Sequence, residues 1–318
     1  MKVLVSGATG LVGRYIVEGL LAAGYTVISG GRHQPTDDVF SAPVGFVPLE
    51  LDADLDQIDA FDDAYFFIHC AFDHLPGRYR GGEGDDPESF RRKNLDGSVA
   101  LFDAARRAGT RRIVFLSSRA VYDGLPAGTV LTEDLDLAPT SLYGKVKYEA
   151  ERALSMIGLT EIGLATASLR LTGVYGGLRP NKWDGLIAEA QAGQSVPARA
   201  GTEVHGHDVA AAVRLMLESD SARINGQSFN VSDVLTDTDH ILQRLRQMPD
   251  AGGMERGNAG LAAPRAIDAP RAIDASAVNI MATDRIRTLG WQPGGQPLLD
   301  RTLDALARST GDGSTAAA

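Results

Sequence analysis

The sequence predicts an α/β chain, a doubly wound parallel sheet with helices on both faces and a small C-terminal lobe. Apolar strand-like runs at 2–6, 25–29, 45–49, 65–70, 112–117 and 163–169 alternate with helical patterns near 12–23, 88–108 and 142–157. That rhythm is what a covered parallel sheet requires. The first run leads directly into a glycine-rich turn and then a helix, the opening unit of such a sheet. With 318 residues, 44% hydrophobic and 6% aromatic, the chain can bury one large core and a small second lobe.

The first unit joins Lys2–Ser6 to Gly7-Ala8-Thr9-Gly10-Leu11-Val12-Gly13. Glycines at these steps let backbone approach a pyrophosphate, and the first turn of the next helix offers unpaired amides and a positive dipole end to that anion. An ordinary strand-to-helix connection is the alternative for a glycine turn alone. The second strand ends in Ser29-Gly30-Gly31-Arg32-His33, with glycine where an acid for a ribose 2'-hydroxyl is expected and arginine next. A guanidinium suits a 2'-phosphate, so NADP is preferred with NAD possible; a solvated surface charge is the other reading of Arg32.

Further along, Gly77 to Pro87 is rich in glycine and charge and reads as a mobile loop near the cofactor. Tyr143 and Lys147 then lie four residues apart on one predicted helix face, where an ammonium favours the phenolate of a side chain whose ordinary pKa is about 10. Beyond residue 170 the rhythm loosens. The expected organisation is a dinucleotide-binding domain over 1–170 to which later segments return, a cap mainly over 171–310, and a loose tail over 311–318. Asp250 to Ala277 carries Ala263-Pro264-Arg265-Ala266-Ile267-Asp268 and its repeat at 269–274, and reads as a surface insertion.

The glycine turn and Tyr143-Gly144-Lys145-Val146-Lys147 resemble the extended short-chain dehydrogenase/reductase family, the NAD-dependent epimerase/dehydratase group of Rossmann-type enzymes. Other landmarks fall in family order over most of the chain: Leu51-Asp52, Ile68-His69-Cys70-Ala71, Asn94 to Ser98, Phe115 to Ser118 with Val121-Tyr122, and Val174-Tyr175-Gly176. The resemblance implies that Tyr143 is the acid/base, that Lys147 binds the nicotinamide ribose and lowers the tyrosine pKa, and that Ser118 hydrogen-bonds the reacting oxygen. It implies cofactor contacts from Gly7, Thr9, Gly10, Leu11, Val12, Gly13, Leu51, Cys70, Ala71, Asn94, Ser117 and Leu171, and from Asp52 toward the adenine amine. A turn-forming aspartate is the alternative for Asp52.

Departures narrow the reaction. Arg119-Ala120 stand where dehydratases of this family carry an Asp-Glu pair, so water elimination lacks its acid. Gly173 replaces the asparagine before Val-Tyr-Gly, and Glu203 stands near the place of an arginine; both serve a sugar diphosphate in the relatives. A smaller substrate follows, contacted by candidates Arg119, Tyr175, Arg179, Asn181, Lys182, Trp183 and His205. Packing or solvation is the alternative reading of each. Family context makes Asp208 a helix cap, so His205, His207 and Asp208 are not expected to hold a metal.

A net charge of −10 and a pI near 5.1 argue against nucleic acid or anionic membranes as partners. The single cysteine, Cys70, and the absence of a basic leader before the first strand read as cytoplasmic. The resemblance implies a homodimer through helices near 95–108 and 143–157. The expected activity is an oxidoreductase that interconverts a secondary alcohol and a ketone on a sugar-like or small polar molecule. A nucleotide-sugar epimerase with tightly held NAD is the rival, and a non-catalytic NADP-binding sensor the third reading.

Overall fold

The structure, a computed structural model, describes residues 1–75, 82–178, 181–192, 194, 196–246 and 278–312. The predicted insertion at 250–277, Arg179, and residues 77–81 of the loop expected from Gly77 to Pro87 lie outside these residues. The large sheet collects β1 (Lys2–Ser6), β2 (Thr26–Gly31), β3 (Gly45–Pro48), β4 (Phe66–His69), β5 (Arg112–Ser118), β6 (Ala165–Leu171) and β9 (Gln227–Val231). Their order is β3-β2-β1-β4-β5-β6-β9, with every pair parallel. Chain direction across the sheet reverses between β1 and β4, which opens a crevice at the carboxyl ends of those strands.

Helices cover both faces. α1 (Leu11–Ala22) and α6 (Gly206–Glu218) bury Ile16, Val17, Leu20, Val209, Val213 and Met216 on one side. α3 (Gly97–Arg107) and α4 (Leu142–Thr160) bury Leu101, Phe102, Val146, Ala150 and Leu154 on the other. Hydrophobic burial at helical spacing therefore accounts for both layers.

One helix was expected over 88–108. The structure breaks it into α2 (Pro87–Arg91), a π-helical turn over Arg92–Asp96, and α3. The widened turn carries Asn94, whose Nδ2 donates to the carbonyls of Phe90 (3.0 Å) and Asp73 (2.8 Å). A side chain thus supplies hydrogen bonds at the point where the helical ladder changes, a feature that periodicity in sequence does not show.

The second lobe is built on β7 (Gly173–Tyr175), β8 (Ala200–His205) and β10 (Val234–Asp237), with α5 (Asp184–Gln191), α8 (Thr238–Arg246) and α10 (Gly295–Asp312). β8 lies between β7, to which it is parallel, and β10, to which it is antiparallel. α7 (Ser221–Ile224) and α9 (Asp284–Arg287) are single turns beside β9. α10 continues through Gly311 and Asp312, two residues into the stretch expected to be loose.

Candidate active site

The crevice at the strand reversal is a cavity of about 460 Å³, lined by the glycine loop, by Ser29 to His33 at the end of β2, by Leu49 to Leu51, and by Cys70 to His74. Gly7 has a φ of +66°, and a Cβ there would lie 2.8 Å from the backbone of Ala71. A Cβ on Gly13 would lie 2.1 Å from the Gly7 carbonyl oxygen. Only glycine lets the loop close on itself and stay open toward the cavity. Gly10 caps α1 without a side-chain hydrogen bond, and the first turn holds no acid. Its leading amides and dipole are therefore left for an anion.

A buried relay braces this loop. Ser6 Oγ accepts from the amides of Cys70 (3.2 Å) and Ala71 (3.3 Å), so its own hydrogen points to His69 Nδ1 at 2.7 Å. His69 Nε2 then donates to Ser98 Oγ at 2.9 Å, and Ser98 Oγ donates to the Asn94 carbonyl at 2.5 Å. Burial, with a smaller effect from Lys147, lowers the His69 pKa to about 3, so the ring is neutral and this direction of donors is self-consistent. Asn94 Oδ1 accepts from the Asp73 amide at 2.7 Å and so holds the cavity wall. Ser6, His69 and Ser98 were not among the residues expected to matter. His69 and Ser98 stood inside quoted family landmarks, the one signal in the sequence that pointed to them.

Of the expected cofactor residues, Gly7, Thr9, Gly10, Leu11, Val12, Gly13, Arg32, Leu51, Cys70 and Ala71 line the cavity. Asp52 does not; its carboxylate accepts from the Asp54 amide at 2.9 Å, the geometry of a turn. Asn94 acts on the wall from behind. Ser117 is buried and its Oγ has no hydrogen-bond partner among the described residues. Ser117 does not line the cavity; the glycine cradle that side chains would fill and the uncapped helix start fit a dinucleotide.

Ser118, Tyr143 and Lys147 do not line this cavity, but Tyr143 and Lys147 both touch Phe72 of its wall. Ser118 ends β5 and accepts from the Ala120 amide at 3.1 Å. α4 starts against the same turn, since a Cβ on Gly144 would lie 2.5 Å from the Ala120 carbonyl oxygen. Asp123 fixes that start. Its carboxylate accepts from the Thr140 amide (2.6 Å), the Ser141 amide (3.3 Å) and the Ser141 hydroxyl, while Ser141 Oγ caps α4 at the Gly144 amide (3.0 Å). Burial pushes the Asp123 pKa up, but these hydrogen bonds outweigh it and hold the carboxyl below its ordinary value. Asp123 and Ser141 are 18 residues apart, so no local pattern announces them.

Lys147 is 4% exposed, and its Nζ donates to the Leu116 carbonyl at 2.8 Å. Burial lowers its pKa to about 7, against opposing effects of Cys70 and Glu151. It is not among the residues that line the cavity. Cys70, which does line it, has a thiol pushed up to about 12 by burial. Tyr143 packs its ring edge-on against Phe72 at 5.1 Å.

The expected substrate contacts are dispersed. Tyr175, Trp183 and His205 are 0%, 4% and 3% exposed. Tyr175 stacks on Trp183 at 5.2 Å and meets His205 edge-on at 5.1 Å, because three large rings gain most by burying one another in the second lobe. Burial lowers the His205 pKa to about 4, and its Nδ1 caps α6 by accepting from the His207 amide at 3.0 Å. The helix cap is therefore His205 rather than Asp208, whose carboxylate accepts from the Gly294 amide at 3.1 Å. Asn181 shapes its own turn through Gly176 and Trp183. Arg119 donates to the Asn279 carbonyl at 3.0 Å. Leu171 pairs with Ser118 in the sheet.

Two departures noted in the sequence meet in space. Gly173 and Glu203 are partners in the register of β7 and β8, and Glu203 forms an ion pair with Lys182. A Cβ on Gly173 would lie 2.0 Å from Lys182 Nζ and 2.4 Å from the Glu203 carboxylate. The ion pair occupies the space of the missing side chain.

No metal-binding group of His, Cys, Asp or Glu occurs among the described residues. Among them, no helix is long and apolar enough to cross a membrane.

The chain is similar to known proteins. The mouse (Mus musculus) sterol-4-alpha-carboxylate 3-dehydrogenase, decarboxylating, is 29% identical over 246 residues, 73% of this chain and 64% of that protein. The UDP-glucose 4-epimerase of Mycolicibacterium smegmatis is 32% identical over 163 residues, 49% of this chain and 51% of that one. The chain thus spans less than two thirds of either relative. The solved structure of WbmG from Bordetella bronchiseptica in complex with NAD superposes with a TM-score of 0.72 at 23% identity, covering 98% of this chain and 95% of that one, which supports the Rossmann-type fold. Since the profile of the NAD dependent epimerase/dehydratase family matches residues 3–232, the chain belongs to that family, of the extended short-chain dehydrogenase/reductase type.

Proposed function

We propose that this protein is an NADP-preferring oxidoreductase that interconverts a secondary alcohol and a ketone on a sugar-like or other small polar molecule. The observation that carries the reading is that Tyr143 and Lys147 of α4 pack against Phe72 on the wall of a cavity whose loop and helix end suit a dinucleotide, with Lys147 bonded to β5, the strand that Ser118 ends. A bound nicotinamide supplies or accepts the hydride. In the reductive direction Ser118 Oγ donates a hydrogen bond to the ketone oxygen and Tyr143 gives that oxygen its proton. In the oxidative direction the tyrosinate takes the proton from the alcohol. The Lys147 ammonium, one helical turn away, favours the phenolate in both.

Arg32 and His33 on the cavity wall, with no acid at the end of β2, support a 2'-phosphate; Glu50 on the same wall opposes it. Replacing Arg32 with Ser should weaken NADPH binding about 10-fold or more and leave NADH binding nearly unchanged. Equal loss of both dinucleotides refutes the preference. The filled space at Gly173 supports a substrate smaller than a nucleotide sugar.

Similarity to proteins named UDP-glucose 4-epimerase favours a second reading, an epimerase that keeps its NAD. Denaturing fresh protein and quantifying released dinucleotide separates the two, since stoichiometric NAD favours the epimerase and an empty protein the reductase. A sensor without turnover fits poorly with an intact Tyr143–Lys147 pair. Tyr143→Phe should abolish turnover while dinucleotide binding persists, and full activity in that variant sinks the mechanism.

The proposed assembly is a homodimer through α3 and α4. Met156 and Leu159 of α4, 60% and 64% exposed, support it, and light scattering at micromolar concentration tests it. A reducing cytosol is the proposed setting, supported by one cysteine.

A further inference from the structure

Phe72 follows the cavity-lining Ala71 and has no assigned role. Its ring lines the dinucleotide cavity, lies 4.4 Å from Lys147 Nζ through its face and meets the Tyr143 ring edge-on at 5.1 Å and 89°. The centroid of the Phe115 ring lies 4.6 Å from the same ammonium. One residue therefore touches both members of the Tyr–Lys pair and separates the lysine from the cavity. We propose that Phe72 is a positioning residue for that pair, holding the Lys147 ammonium by its ring face and Tyr143 by its ring edge. The inference rests on the reaction proposed above.

The physical argument is the state of Lys147. Among the described residues its ammonium donates to the Leu116 carbonyl, and the residue is 4% exposed. Around it stand Tyr143 one turn earlier and Glu151 one turn later on α4, with His69 and Cys70 from the end of β4. Glu151 is already committed to Arg170. The electron-rich faces of Phe72 and Phe115 are what remains to offset desolvation, and such contacts are strongest away from water. Burial already draws the lysine down to about 7, and the ring faces act in the opposite direction, favouring the charged form.

The test uses the full chain labelled with carbon-13 at lysine Cε. The chain has five lysines, so the signals are few, and Lys147→Arg assigns the one of interest. In Phe72→Leu, which keeps apolar bulk but removes the ring face, the Lys147 midpoint should fall by about one pH unit. Phe72→Tyr, which keeps the ring, should stay within a few tenths of the parent. An unchanged or raised midpoint in the leucine variant overturns the proposal, as does an equal fall in the tyrosine variant, because either shows that the ring only fills space. Should the leucine variant fail to fold, Phe72→Met takes its place under the same criteria. No substrate enters the titration, so it stands apart from the assigned reaction, which Tyr143→Phe tests separately.

Discussion

Lys147 is the side chain whose burial costs the chain most directly. Unfolded, it binds a proton up to its ordinary pKa of 10.5; folded, only to about 7. The unfolded state therefore holds more protons between those values, and stability rises with pH across that window. The cost is fully present below 7 and gone above 10.5. Replacing Lys147 with Met should raise the thermal midpoint by several degrees at pH 6 and by much less at pH 10. It should also lower turnover about 10²-fold or more, because the phenolate loses its electrostatic partner. Thermal melts at the two pH values decide it; a gain that does not depend on pH refutes the assigned burial cost.

At the scale of elements, α4 brings Tyr143, Lys147 and Glu151 onto one face at four-residue steps. Glu151 meets Arg170 of β6 at 2.7 Å, with side chains 3% and 5% exposed, and Arg170 Nη1 donates to the Tyr122 hydroxyl at 2.7 Å. This pair sets how α4 sits on the sheet. Glu151→Ala leaves a buried guanidinium unpaired and should cost about 3–5 kcal/mol in urea unfolding, while a loss below about 1 kcal/mol, the value of an exposed pair, contradicts the burial. β7 and β8 carry a second such dependence. Gly173→Asn should destabilise by about 1–3 kcal/mol as its side chain meets Lys182 and Glu203, and Glu203→Ala in the same chain should recover most of that loss. Strict additivity of the two changes shows that the space is not shared.

Across the whole molecule, two neutral buried histidines tie the fold to pH. His69 and His205 titrate at about 3 and about 4 when folded, and burial is the main cause for both. The unfolded chain takes up these protons near the ordinary value of 6.5, so stability is intact above that pH. Acidification removes it at about 1.4 kcal/mol per pH unit for each ring, down to the folded values. Asp123, held below its ordinary value by hydrogen bonds once burial is overcome, adds to the loss at still lower pH. Chemical unfolding at pH 7 and pH 4.5 should show a clear drop, and His205→Asn should flatten it. An identical curve for that variant removes His205 from the account. The same pair illustrates what was legible. His205 was noticed in the sequence as a substrate contact, but the rings of Tyr175 and Trp183 that bury it come from β7 and the turn before α5. His69 sat within a recognised stretch, yet its partners Ser6 and Ser98 are 63 and 29 residues away.

The sequence by itself determined six of the seven strands of the large sheet, the glycine loop and the Tyr143–Lys147 spacing; β9 lies in the span expected to form the cap. Apolar periodicity, glycine at tight steps and i,i+4 placement are local, and local chemistry is written in consecutive residues. Only the tertiary structure decided that Lys147 is enclosed by Phe72 and Phe115, that Asp52 serves a turn, and that His205 caps α6. It also decided that Lys182 and Glu203 fill the space over Gly173. The enclosure of Lys147 and the filling of the space over Gly173 depend on which distant side chains compete for the same volume, and that competition is settled by packing; the Asp52 and His205 hydrogen bonds each span two residues, and the structure decides between roles that the sequence left open.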